Sequence, residues 1–66
     1  MTVTQARDTL QGFGYSVIGY QAMGNPRRYL VCREPLAEFC GLPAGGTFDK
    51  DGLKAFVGQV TAEVEG

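Results

Sequence analysis

Histidine is absent from this chain. Its usual role as general base and as neutral metal ligand is therefore not on offer. Cysteine is nearly absent too: Cys32 and Cys40 are the only two. A structural zinc site takes four Cys or His ligands, which two thiols in one chain do not supply. Their spacing is not that of a C-x-x-C redox pair either, so both read as small, reduced, buried apolar residues. No metal and no cofactor are expected.

Long apolar runs are missing. Nothing approaches the ~20 residues that span a bilayer, and the opening Met1-Thr2-Val3-Thr4-Gln5-Ala6-Arg7-Asp8 lacks the basic start and apolar stretch of a signal peptide. The expected location is the cytoplasm, where thiols stay reduced. A basic excess is also missing, since the net charge is −1. Dedicated duplex-DNA binders need such an excess to neutralise phosphate. The charge is uneven, with Arg7, Arg27, Arg28 and Arg33 early and Glu38, Asp49, Asp51, Glu63 and Glu65 late.

What is present fits one small α+β domain over residues 1–66. A chain of this length buries only about 60% of the surface it exposes when unfolded, so its stability reserve is small. Residues 2–11 predict a helix: Thr2 caps it, Gln5 completes a capping box, Val3, Ala6 and Leu10 recur at helical spacing, and Gly12 ends it. Residues 15–22 and 27–34 predict a β-hairpin, rich in Tyr, Val, Ile and Leu, around the turn Met23-Gly24-Asn25-Pro26. Pro26 carries no N–H, so the first full pair is expected to be Ala22 with Arg27. That register makes Tyr20–Tyr29 and Ile18–Val31 direct cross-strand pairs. One face then carries Ser16, Ile18, Tyr20 and Ala22 opposite Arg33, Val31, Tyr29 and Arg27. The other carries Tyr15, Val17, Gly19 and Gln21 opposite Glu34, Cys32, Leu30 and Arg28.

Pro35 and Gly41 bracket one or two helical turns, with Leu36, Phe39 and Cys40 as the buried side. Thr47-Phe48 can add a third strand. Asp49 caps the last helix, Phe48 and Leu53 form a hydrophobic staple, and Leu53, Phe56, Val57, Val60 and Val64 make its apolar stripe. Two helices are expected on one face of a small antiparallel sheet. Both faces of the hairpin are apolar, however. Either the segment with Leu36, Phe39 and Leu42 covers the second face, or a partner does.

Motifs for chemistry fail on inspection. A calcium loop aligned on Gly52 would place Thr47 and Gly58 where its first and last ligands belong. The Gly12-Phe13-Gly14 stretch ends a helix rather than opening one, so it is no dinucleotide loop. Gly45-Gly46 precede a helix but lack a following Lys-Ser or Lys-Thr, and Asp49 and Asp51 would repel a phosphate. No nucleophile has an evident activator, and no enzymatic activity is expected.

Two surface features remain. Tyr20, Arg27, Tyr29 and Arg33 fall on one face in the expected register, and tyrosine and arginine concentrate binding energy at interfaces. The competing reading makes the same face core. On the last helix Ala55, Gly58 and Ala62 cluster opposite the stripe. A second backbone could approach there, which marks a candidate second interface, against the plainer reading of small residues facing solvent.

The leading expectation is a non-enzymatic binding protein that docks on a larger protein or protein complex. Small acidic chains of this kind are common among inhibitors and accessory factors of phages and mobile elements, anti-CRISPR proteins included; the analogy is one of size and type, and no residue motif carries it. The alternative is a single-stranded RNA- or DNA-binding module using the tyrosine and arginine face. No membrane partner is expected, and a homodimer is a further option.

Overall fold

Thr2 opens the first helix as its sequence demands. In the computed structural model, which describes residues 1–21, 23–24 and 26–66, the Gln5 N–H donates to Thr2 Oγ1 at 3.2 Å and the Thr2 N–H donates to Gln5 Oε1 at 2.8 Å. Both halves of the capping box are made. Helix α1 (Val3–Phe13) runs past Gly12 and stops at Gly14, which takes the left-handed conformation at φ 100°. The expected stop at Gly12 was too early because the apolar period continues from Leu10 to Phe13, which packs against the core.

Strands β1 (Tyr15–Tyr20) and β2 (Arg28–Arg33) pair antiparallel, and β3 (Thr47–Phe48) adds to the far side of β2. Helix α2 (Pro35–Phe39) lies between β2 and β3, and α3 (Lys50–Glu65) closes the chain. The architecture is the expected small α+β arrangement, with α1 and α3 sharing one face of the sheet.

The register differs from the expectation by one residue. Tyr20 pairs with Arg28 rather than Tyr29, Ile18 with Leu30 rather than Val31, and Val17 with Val31. A one-residue slip exchanges the faces of one strand relative to the other. Burial supplies the physical reason: this pairing puts Tyr15, Val17 and Val31 together under the helices, all of them buried. The strands are also shorter than expected, and Arg27 precedes the ladder. The expected Ala22–Arg27 pair, and Asn25 of the turn, lie outside the described residues.

The core joins Ala6 and Leu10 of α1, Tyr15, Val17 and Val31 of the sheet, Ala37, Leu42, and Leu53, Phe56, Val57 and Val60 of α3. Within it Phe56 lies edge-on to Tyr15 at 5.4 Å and stacked on Phe48 at 5.0 Å between ring centroids. Asp49 caps α3 by accepting from the Gly52 N–H at 2.7 Å. The apolar stripe ends at Val60. Val64 is 52% exposed, because the last turn of α3 runs past the core.

Helix α2 buries the residue the sequence did not single out. Ala37 is fully buried, whereas Leu36, Phe39 and Cys40 are exposed, Phe39 to 90%. The cause is a close approach of backbones: a Cβ on Gly14 would lie 2.7 Å from the Ala37 nitrogen. Only a small side chain fits where α2 meets that turn. Downstream, the Tyr15 hydroxyl donates to the Pro43 carbonyl and the Arg33 guanidinium donates to the Leu42 carbonyl at 2.8 Å. These bonds draw Leu42 into the core on the helix side, so the middle segment does not cover the second face of the sheet. Both cysteines are free and exposed, contrary to the expectation of buried thiols. Cys32 falls on the uncovered face, and Cys40 sits at the end of α2. Among the described residues no helix is long and apolar enough to cross a membrane.

Candidate functional site

The uncovered face is built by strand alternation. Ser16, Ile18 and Tyr20 of β1 stand opposite Cys32, Leu30 and Arg28 of β2, and Thr47 of β3 lies beside Leu30. Ile18 is 53% exposed, Tyr20 45% and Leu30 37%. Ile18 and Leu30 face each other directly, as do Tyr20 and Arg28. The face therefore has an apolar centre and a tyrosine–arginine pair toward the hairpin tip. None of these strand residues carries a carboxylate; Glu34, two residues beyond Cys32, is the exposed N-cap residue of α2.

The four residues expected to share one surface are divided by the register. Tyr20 is on the uncovered face. Tyr29 is half-buried on the helix side, opposite Gly19 and Phe48, and packs against the core. Arg27 joins Tyr29 there, in a cleft that Arg7 of α1 also lines. Arg33 lies at the other end of β2 with its guanidinium bonded to the Leu42 carbonyl. Ala55, Gly58 and Ala62 are all exposed on the outer side of α3, and a Cβ on Gly58 would meet nothing within 4 Å.

Ile18, Arg28 and Leu30 were not singled out from sequence as a site. Their signal was the apolar character of both hairpin faces, which required one face to stay open or be covered by something else. Arg7 had no local signal, because its nearness to Arg27 depends on how α1 crosses the sheet. Among the described residues no group of three or more His, Cys, Asp or Glu is placed to hold a metal. Among the described residues Tyr15 has a displaced pKa. Burial raises it above its ordinary 10.0, and the Arg33 guanidinium works in the opposite direction. That hydroxyl is engaged with Pro43 and belongs to the packing of the helix side.

Comparison with protein-family models, with curated proteins and with solved structures gave no match to this chain.

Proposed function

We propose that this protein is a non-enzymatic docking module that seats the uncovered face of its sheet on a larger protein. The observation that carries the reading is the grouping of Ile18, Tyr20 and Leu30 beside Arg28 on one exposed face, with no acid among its strand residues. Aromatic and arginine side chains beside an apolar, water-excluding centre are where interface energy concentrates. The complementary partner surface is apolar with an acidic rim. The lack of histidine and the capping role of Asp49 support binding rather than catalysis. Free, exposed thiols suit the reducing cytoplasm, where we place the protein.

A second reading rests on Tyr20 opposite Arg28, a stacking ring beside a phosphate-binding cation. In that reading the face binds single-stranded nucleic acid. The single aromatic on the face and the net charge of −1 favour the protein partner.

The experiment is affinity capture from the source cells, followed by titration of the purified captured protein. Saturable binding should weaken about tenfold or more in Tyr20→Ala and Leu30→Asp. Gly58→Ala, on the outer side of α3, should bind as wild type does. Equal binding by all variants would remove the face from the account. Steeply salt-dependent binding of a single-stranded oligonucleotide, lost in the same variants, would transfer the site to nucleic acid. Self-association abolished by Leu30→Asp would make a second copy its occupant.

A further inference from the structure

Gly19 stands inside β1, facing the helices opposite Tyr29. Its φ is not in the left-handed region, so the backbone does not require glycine there. A glycine in a strand interior weakens the strand and marks a place where a ligand or another backbone comes close. Among the described residues, none of its three nearest neighbours is a backbone atom. The nearest atoms to a Cβ at Gly19 would be Tyr29 Cε1 and Cδ1 at 3.4 and 3.6 Å and Arg27 Cδ at 3.8 Å, all from side chains.

The space above Gly19 belongs to a cleft of ≈ 260 Å³ lined by Val3, Thr4, Arg7, Gly19, Arg27 and Tyr29. Two guanidinium-bearing and two hydroxyl-bearing residues contribute to it, and no carboxylate does. The first turn of α1, which supplies Val3 and Thr4, contains no acid. The positive end of the helix dipole is therefore not offset by its own side chains. A cleft lined by one sign of charge focuses the field and concentrates counter-ions.

We propose that this cleft binds a phosphate monoester. Such a group carries a charge of about −1.5 to −2 near neutral pH and three strong acceptor oxygens. Two guanidinia match that charge, and their planar forks suit phosphate oxygens. A lone carboxylate would leave one guanidinium uncompensated. The remaining volume accommodates a small ester substituent against Val3 and the Tyr29 ring, while the net charge of −1 on the whole chain disfavours a long polyanion. The site is separate from the uncovered sheet face, because Gly19 and Tyr29 lie on the helix side and Ile18, Tyr20 and Leu30 on the other.

Arg27 and Tyr29 also line a neighbouring cleft with Pro26, Asp49, Lys50 and Asp51. Arg27 thus has acids on its far side. Of the two clefts Arg7 lines only the first, which makes it the cleaner residue to change.

The test is an amide NMR titration of the intact chain with inorganic phosphate and, separately, adenosine monophosphate, at constant ionic strength set with chloride. Saturable shifts should centre on Thr4, Arg7, Gly19, Arg27 and Tyr29. Arg7→Gln should weaken binding about tenfold or more, with Arg7→Lys intermediate because it keeps the charge and loses the fork. Gly19→Val should narrow the cleft beside Tyr29 and Arg27 and weaken binding. Tighter binding of the nucleotide than of phosphate means the ester substituent is held, and equal binding means the phosphoryl group alone is held; both support the site. Should Gly19→Val fail to fold, the exposed Arg7 still decides the matter. Absence of saturable shifts with either probe overturns the proposal, as do shifts unchanged in Arg7→Gln. Binding confined to phosphopeptides or oligonucleotides also overturns it, since the ligand would then be a macromolecule.

Discussion

Gly45 lies directly against the Val31 carbonyl: a Cβ at Gly45 would sit 1.9 Å from that oxygen and 2.7 Å from its carbon. One residue on, the Gly46 carbonyl accepts from the Val31 N–H at 2.8 Å. The loop backbone is thereby pressed onto the central strand. Gly45→Ala must separate the two and should cost about 1–3 kcal/mol, the range for overpacking a tight site. Gly58→Ala should act with the opposite sign, gaining about 0.4–1 kcal/mol, because it lies within α3 with nothing near its would-be Cβ. Urea midpoints at unchanged slope measure both. A Gly45→Ala protein as stable as wild type would refute the contact.

The observed register makes the two tyrosines unequal. Tyr29→Ala removes a half-buried ring packed against the core and should cost about 2 kcal/mol or more. Tyr20→Ala removes an exposed ring and should stay within about 0.5–1 kcal/mol of wild type, the usual scale for surface and cross-strand effects. Equal losses would point to the alternative pairing in which the two rings face each other. Thermal or urea unfolding of the two variants in parallel decides it.

Tyr15 couples stability to alkaline pH. Its pKa is raised in the folded chain by burial, against the opposing pull of Arg33. The folded state therefore favours the neutral phenol. That contribution is complete below the ordinary value of 10.0 and is lost as pH climbs past it toward the raised folded value. Tyr15→Phe loses the bond to the Pro43 carbonyl and should cost about 1–2 kcal/mol at neutral pH. The stability difference between wild type and variant should then narrow above pH 10. A gap that stays constant across that range would show that Tyr15 does not titrate differently on folding.

Cys32 and Cys40 are both exposed and free. An aromatic disulfide reagent should react with both in the native protein, to the same final extent as after unfolding. Protection of either thiol until denaturant is added would contradict its placement. Reaction at Cys32 should also block the docking proposed above, since that thiol lies on the uncovered face beside Leu30.

Local rules made the helices readable. The Thr2–Gln5 box and the Asp49 cap each bond residues three apart, so the sequence carries both partners within one turn. The core residues Ala6, Leu10, Leu53, Phe56, Val57 and Val60 follow from helical spacing. The hairpin register was not readable in the same way. It turns on a shift of one residue between the two strands, and both registers leave apolar residues on both faces. The deciding factor was burial of Tyr15, Val17 and Val31 under helices that come from either end of the chain. Ala37 escaped notice for a similar reason: its partner Gly14 is distant in sequence, and the local pattern favoured the larger Leu36 and Phe39. The candidate site suffered most, because a shared face is the property that a slipped register destroys.

Strand alternation also governs how this chain can change over generations. In β1 and β2, neighbouring positions answer to different constraints: Tyr15, Val17 and Val31 are tied to the interior, while Ser16, Ile18, Tyr20, Arg28, Leu30 and Cys32 are not. Substitutions at the second set alter what the molecule presents to its surroundings at little thermodynamic cost, since surface changes usually stay within about 0.5 kcal/mol. A 66-residue chain has little reserve to spend on innovation elsewhere. The exposed side of the sheet is thus free to vary, or to be diversified by a laboratory library, while its other side holds the fold constant.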